Sequence, residues 1–195
     1  MGDPRLEALR RVLKGRTSAT LAEAVSRRAA VAVVFRNETD PEILFIQRAE
    51  HPQDPWSGQI AFPGGRFEEA DPDLRATAIR ETGEETGIDL EEADYLGPLD
   101  EVRASGRLRP MDLSIRPFVF LLTKPVSPAL SDEVTRIHWI PLATLLDEAS
   151  SGTFFYGEGE GRLGFPCLQV EGISIWGLTY RMFMDLKALL GEPPR

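Results

Sequence analysis

Cysteine is almost missing from this sequence: Cys167 is the only one among 195 residues. That excludes an internal disulfide and makes a reducing compartment the expected setting. No apolar run is long enough to cross a bilayer, and the N-terminus lacks a signal-peptide pattern. The expectation is a soluble, cytoplasmic protein with no membrane partner. Positive charge is also scarce, with 22 Lys and Arg against 31 Asp and Glu, a formal net charge of −9. A general nucleic-acid binder needs a basic surface to neutralise phosphates, so nucleic acid is excluded as a partner. A small phosphorylated substrate needs only a local basic patch or metal ions, and is not excluded. Repeats and low-complexity tracts are absent. Only two histidines occur, His51 and His138, and neither has neighbours at metal-ligand spacing.

What remains suffices for a core. Hydrophobic residues make up 42% of the chain and charged residues 27%. The length fits one domain over residues 1–195, with a helical N-terminal extension over about 3–26. Leu6, Leu9, Val12 and Leu13 recur at near-helical spacing up to Gly15, and a second short helix is expected over 20–26. Ala29 to Phe35 is a valine-rich apolar run, the pattern of a buried strand. With Glu42 to Arg48 it is expected to form a hairpin. Further strands are expected over 95–102, 114–122 and 134–140, a short helix over 142–149, a hairpin over 165–175 and a C-terminal helix over 178–190. Glycines at 152, 157, 159, 161 and 164 mark a flexible, turn-rich segment. Alternating βα units are missing, so the expected class is α+β, not a doubly wound parallel sheet.

One stretch breaks local rules. Gly64-Gly65 and then Asp71-Pro72 predict a tight loop entering a helix, with Asp71 as cap and Pro72 at the first helical position. Gly87 suits the left-handed position that ends a helix. Between them, Glu81, Glu84 and Glu85 stand at i, i+3 and i+4, so three carboxylates share one face near the helix C-terminus. Each like-charged pair costs roughly 0.2–0.5 kcal/mol, and the helix dipole disfavours anions at that end. A divalent cation would remove the penalty, because hard cations prefer clustered carboxylate oxygens. Gly83 inside the helix costs about 1 kcal/mol relative to Ala, which predicts close packing of helix against loop.

Gly65 followed by Arg80-Glu81-Thr82-Gly83-Glu84-Glu85-Thr86-Gly87-Ile88 resembles the box of the Nudix hydrolases, G-x5-E-x7-R-E-U-x-E-E-x-G-U, where U is aliphatic. Thr82 departs from the first U. Fourteen residues rather than thirteen separate Gly65 from Arg80, so Asp71 stands for the first acid. That longer spacing is similar to the coenzyme A pyrophosphatase branch. So are the lead-in Gly58-Gln59-Ile60-Ala61-Phe62-Pro63-Gly64-Gly65, the strand 43–48 and the segment 176–181. The likeness covers about 27–190. Gln53-Asp54 stands where that branch places an arginine before Gly58.

The resemblance implies a mixed β-sheet between helices, an α/β/α sandwich with the box as loop–helix–loop. It implies hydrolysis of coenzyme A or a derivative to 3′,5′-ADP and a phosphopantetheine, with Mg2+ or Mn2+. Glu81 and Glu85 are then the expected metal ligands, with Glu84 for a second metal and the Gly65 carbonyl as a further oxygen. Arg80 is an organiser that holds carboxylates bidentately. The general base is Glu84 or Glu81, with Glu133 as the other candidate. Arg103, Arg107 and Arg109, or Arg48, are candidates for substrate phosphates. The Gln53-Asp54 departure keeps ADP-ribose, a dinucleoside polyphosphate or a nucleoside triphosphate open as substrates. A non-catalytic binding module is the remaining reading, opposed by the intact Glu81, Glu84 and Glu85. Trp176 and Phe154-Phe155-Tyr156 read as packing groups rather than base-stacking ones, and Cys167 as a small buried residue. Oligomeric state is not legible.

Overall fold

A computed structural model describes residues 2–21, 25–52, 54, 56–105, 110–157 and 159–191. Strand β1 (Arg27–Arg36) is its axis, and alternation along that strand builds two cores. Ala29, Val31, Val33 and Phe35 join one cluster with Leu6, Leu9 and Leu13 of helix α1 (Pro4–Gly15) and Met182, Phe183 and Leu186 of helix α4 (Gly177–Leu190). Ala30, Ala32 and Val34 join the other, with Leu74 and Ala78 of helix α2 (Leu74–Thr86). The result is a sheet between helices, the expected α/β/α sandwich of the α+β class.

Around β1 the sheet is mixed. Strand β2 (Glu42–Arg48) pairs antiparallel with β1, and also with β3 (Ile60–Ala61) and β8 (Val134–Pro141). Strand β4 (Gly64–Arg66) lies antiparallel to the start of β1, with Gly65 opposite Ala30. On the other side β7 (Pro110–Leu121) runs parallel to β1 from Arg27↔Leu113 to Phe35↔Leu121. β7 also carries β5 (Asp94–Pro98) and β6 (Val102–Ser105) as antiparallel neighbours. A separate three-stranded sheet, in the order β11-β10-β9, is formed by β9 (Ser151–Tyr156), β10 (Leu163–Val170) and β11 (Ile173–Trp176). Among the described residues no helix is long and apolar enough to cross a membrane.

Several expectations change. The strand expected over 95–102 is two strands, β5 and β6. The helix expected over 142–149 is α3 (Leu142–Leu146) followed by a 3-10 turn, Glu148–Ser150. Thr20, Leu21, Val25 and Ser26 are not helical, and residues 22–24 lie outside the described set. Acidic side chains claim that segment's backbone donors: Ala19 N–H donates to Asp100, Leu21 N–H to Glu101 and Ser26 N–H to Asp112. The start of the glycine-rich segment is strand β9, not a loop.

Candidate active site

Helix α2 begins one turn-residue later than expected. Asp73, not Asp71, is its cap, accepting from Ala76 N–H at 2.8 Å, so Pro72 lies outside the helix. Asp71 is drawn away by Arg80. The guanidinium donates through Nε to Oδ1 at 2.9 Å and through Nη2 to Oδ2 at 3.0 Å, a two-pronged grip. Asp71 also accepts from Thr77 Oγ1 at 2.8 Å and Glu68 N–H at 3.0 Å. The Arg80 guanidinium holds the Asp71 carboxyl well below the usual carboxylate range, and Asp71 raises Arg80 in return. Arg80 reaches further, to Glu81 Oε1 at 3.1 Å, Glu84 Oε2 at 3.2 Å and the Arg66 carbonyl at 3.2 Å. One side chain thus ties the loop 66–71 to the acidic face of α2.

Four of the six buried residues of α2, Thr77, Ala78, Thr82 and Thr86, are small, and the helix packs on the Ala30 and Ala32 face of β1. Thr82, at an aliphatic position of the box, is fully buried and donates its hydroxyl to the Ala78 carbonyl at 2.7 Å; Thr86 does the same to Thr82. That local bond lets a hydroxyl stand in an apolar position. Gly87 ends the helix in the left-handed region, φ 68°, with its N–H on the Gly83 carbonyl. Gly83 does not behave as expected. A Cβ there would meet only the Ile88 carbonyl at 3.9 Å, so close packing does not explain it.

Close approach is instead at Gly64 and Gly65. Gly64 has φ 147°, and a Cβ on it would overlap the Ala30 carbonyl. A Cβ on Gly65 would overlap the Glu81 carboxylate. Gly64 N–H donates to Glu85 Oε2 at 2.9 Å. The two glycines therefore form the floor on which the two carboxylates rest.

The three glutamates are unequal. Glu85 is 3% exposed, and burial pushes its carboxyl up to about 7; the Gly64 N–H and Arg48 oppose that rise, while the charges of Glu81 and Glu133 add to it. Glu81 is raised for the same first reason, burial, against the pull of Arg80. Glu84 is 60% exposed and faces Arg80 one helical turn back. Glu133 is exposed, but its backbone holds it near the site. Its carbonyl accepts from Ala49 N–H at 2.8 Å, and Ser131 N–H donates to the Glu85 carbonyl at 3.2 Å.

Arg48 is engaged rather than open. Its Nη1 lies 3.5 Å from Glu85 Oε1, and its Nε and Nη2 lie 3.0 and 2.9 Å from Asp54 Oδ2. In the sequence Asp54 stands out only as a departure from the branch pattern. The signal that could have marked it is an acid six residues after a strand-terminal arginine, across a proline-broken loop. Arg103 sits on β6, 3.8 Å from Asp112; Arg107 and Arg109 lie outside the described residues.

Among the described residues no three acidic or histidine side chains already converge to cage a cation. The donor set nevertheless fits one. Glu81 and Glu85 are acids in a desolvated floor where neighbouring carboxylates raise them, an arrangement that a divalent cation would relieve.

The structure thus sets an acidic helix face against a Gly-Gly strand within an α/β/α sandwich. Residues 26–155 match the model of the NUDIX domain family. The chain belongs to that family, whose members are pyrophosphatases that generally use divalent cations. The mitochondrial coenzyme A diphosphatase of Homo sapiens is 32% identical over 176 residues, 87% of this chain and 71% of that protein. The peroxisomal coenzyme A diphosphatase of Caenorhabditis elegans is 40% identical over 105 residues, 52% of this chain and 42% of that protein. The chain spans less than half the length of two of the curated relatives it matches. In fold it is similar to a crystal structure of an Ap4A hydrolase from C. elegans, with TM-score 0.51, 24% identity, and 63% of this chain and 84% of that chain covered.

Proposed function

We propose that this protein is a metal-dependent pyrophosphohydrolase that cleaves the diphosphate of coenzyme A or its derivatives to 3′,5′-ADP and (acyl-)4′-phosphopantetheine. The observation that carries the chemistry is the pair of buried Glu85 and half-buried Glu81 against Gly64-Gly65, with both carboxyls raised. The substrate class is supported by the relatives named coenzyme A diphosphatases, one of them alike over most of this chain.

Glu81 and Glu85 would hold Mg2+ or Mn2+, with Glu84 available to a second ion and the Gly65 carbonyl as a further oxygen donor. When bound, the cation neutralises diphosphate charge and makes water more acidic. Arg80 keeps the carboxylates in place without touching substrate. The proton of the attacking water goes to Glu81 or Glu84, or to Glu133, whose loop is tied to the end of α2. Of the arginines proposed for substrate phosphates, Arg48 would have to leave Asp54 or Glu85 and Arg103 would have to leave Asp112. Buried Cys167 fits the reducing, cytoplasmic setting read from the sequence, although the two named relatives are organellar.

The test is product analysis with coenzyme A and Mg2+ or Mn2+, where release of 3′,5′-ADP is the expected result. A protein that leaves coenzyme A intact while cleaving ADP-ribose or a dinucleoside polyphosphate would overturn the substrate assignment. One observation favours that second reading: Asp54 and Glu85 both hold Arg48, so a phosphate can recruit this arginine only by displacing an acid. Comparing coenzyme A with its 3′-dephospho form measures how much a 3′-phosphate contact contributes.

A further inference from the structure

The small sheet β9–β10–β11 carries an aromatic face that helix packing does not explain. Its register places Leu163 opposite Tyr156, Phe165 opposite Phe154, and Cys167 opposite both Gly152 and Trp176. These residues share one face. Leu168, Val170 and Ile175, on the other face, enter the main core. On the aromatic face the rings are ordered around Trp176. Phe154 stacks on it at 4.4 Å and 19°, Phe165 lies 5.5 Å away at 45°, and Tyr156 lies 5.8 Å away at 38°. Tyr156 is 47% exposed and Leu163 37%. A contiguous apolar patch left open to water marks an interaction site.

The position of the face matters. Strand β11 packs beside β3. β3 pairs with β2 through Gln47↔Ile60, one residue before Arg48, which touches Glu85. Three residues beyond Ala61, the same chain becomes Gly64, whose N–H holds Glu85. β3 therefore joins the aromatic face to the floor of the acidic site. The chemistry of the face is also selective. The face also carries two donors, the Tyr156 hydroxyl at its exposed edge and the Trp176 indole N–H. An alkyl chain makes no use of such donors. A heteroaromatic base offers both a π-face for stacking and ring nitrogens that accept.

We propose that this face, through Tyr156 and the Trp176–Phe154 stack, binds the adenine base of the substrate. This rests on the reading above that the substrate is an adenine nucleoside diphosphate derivative. Tyr156 and Trp176 are then specificity residues, acting on binding and not on bond cleavage.

The experiment titrates 3′,5′-ADP, AMP and, as a base-free control, ribose 5-phosphate into the full chain by calorimetry. It is repeated with Tyr156→Ala, Tyr156→Phe and Trp176→Leu. Wild type is expected to bind 3′,5′-ADP and AMP saturably. Tyr156→Ala should weaken both about fivefold or more, the range of a lost base stack, with Tyr156→Phe restoring the stack but not the hydroxyl's hydrogen bond and so recovering only part of the loss. Ribose 5-phosphate binding should not change among these proteins. With coenzyme A as substrate, Tyr156→Ala should raise KM by a similar factor while kcat stays within about twofold. Wild type that binds neither nucleotide overturns the proposal. So does nucleotide affinity unchanged in both Tyr156→Ala and Trp176→Leu, the exposed Tyr156 site being readable even if Trp176→Leu does not fold. Gel filtration of the same proteins reveals a competing role: a dimer lost in Tyr156→Ala with nucleotide affinity intact would assign the face to self-association and overturn the proposal too. The two readings separate cleanly. AMP binding that depends on Tyr156 without cleavage of coenzyme A removes only the substrate assignment. Cleavage with a KM indifferent to Tyr156→Ala removes only the base site.

Discussion

The Glu81 carboxylate lies in the space that a side chain on Gly65 would occupy. A glycine is required there by what faces it, not by its own dihedrals. Gly65→Ala should therefore push Glu81 off the floor. We expect kcat to fall at least tenfold at saturating Mg2+, with a smaller change in stability, because Glu81 can swing toward solvent. Steady-state kinetics beside urea unfolding separates the two; a variant with wild-type kcat would show that Glu81 does not act from this position.

Arg80 holds Asp71 with two parallel bonds while also reaching Glu81 and Glu84. Arg80→Lys keeps the charge but loses the fork, so the loop and the acids lose their common anchor. Breaking charge-assisted bonds to a buried Asp71 should cost roughly 2 kcal/mol of stability. The Asp71 carboxyl is held below its ordinary value of 3.8, so its contribution is present above that pH and lost as pH falls further. The measured difference between wild type and Arg80→Lys should accordingly shrink in strong acid. A difference that grows on acidification would contradict the pairing.

How much of this was legible in the sequence depends on the range of the interactions. The box helix, its glycine end and the alternation of β1 are local and were readable. Asp71 and Asp73 satisfy the same local capping rule, yet only Asp73 caps the helix. What separates them is Arg80, nine residues from Asp71, which claims one of them. The parallel pairing of β1 with β7 joins residues more than eighty apart and leaves no local mark. Strand β9, Ser151 to Tyr156, was hidden by the glycines around it. Its aromatic face emerges only once β10 and β11 bring Phe165 and Trp176 alongside Phe154. Arg48 was legible as a basic residue at a strand end, but not as the partner of Asp54 and Glu85.

Glu85 ties stability to pH and metal together. Its folded value is about 7 against an ordinary 4.5, so between those limits the folded state holds more protons than the unfolded chain. In metal-free protein this group's contribution is full below 4.5 and declines as pH rises to about 7. Glu85→Gln keeps an acceptor for Gly64 N–H and removes the charge. Metal-free Glu85→Gln should be more stable than wild type at pH 8, on the order of 2 kcal/mol, with little difference at pH 4.5. Its kcat should fall by orders of magnitude. Urea unfolding in chelator at both pH values provides the check, and equal stabilities at pH 8 would remove the burial argument.

Protons and cations compete for the same carboxylates, so Mg2+ should stabilise wild type more at pH 8 than at pH 6. At a hundredfold excess over Kd, binding contributes about 2.7 kcal/mol, and that gain should diminish as Glu85 protonates. Thermal unfolding with and without Mg2+ across this range reads the effect directly. In Glu85→Gln the Mg2+ shift should be small at every pH. A shift as large in the variant as in wild type would place the cation elsewhere.

Gly83 offers a prediction of the opposite sign. It lies inside α2, where glycine costs about 1 kcal/mol relative to alanine, yet a Cβ there would meet nothing nearer than the Ile88 carbonyl at 3.9 Å. Its φ is not in the left-handed region, so alanine adopts the same backbone without strain. Its neighbours are the charged Glu84, which faces Arg80, and Thr82, whose hydroxyl is already bound to Ala78. None of these contacts needs the missing side chain. Gly83→Ala should stabilise the protein by roughly 0.5–1 kcal/mol, with kcat unchanged, because the added methyl group limits the unfolded chain and touches none of the carboxylates. A higher urea midpoint at unchanged m is the expected signature. A loss of activity would mean that the helix must flex at this residue during turnover, a requirement that packing alone does not impose.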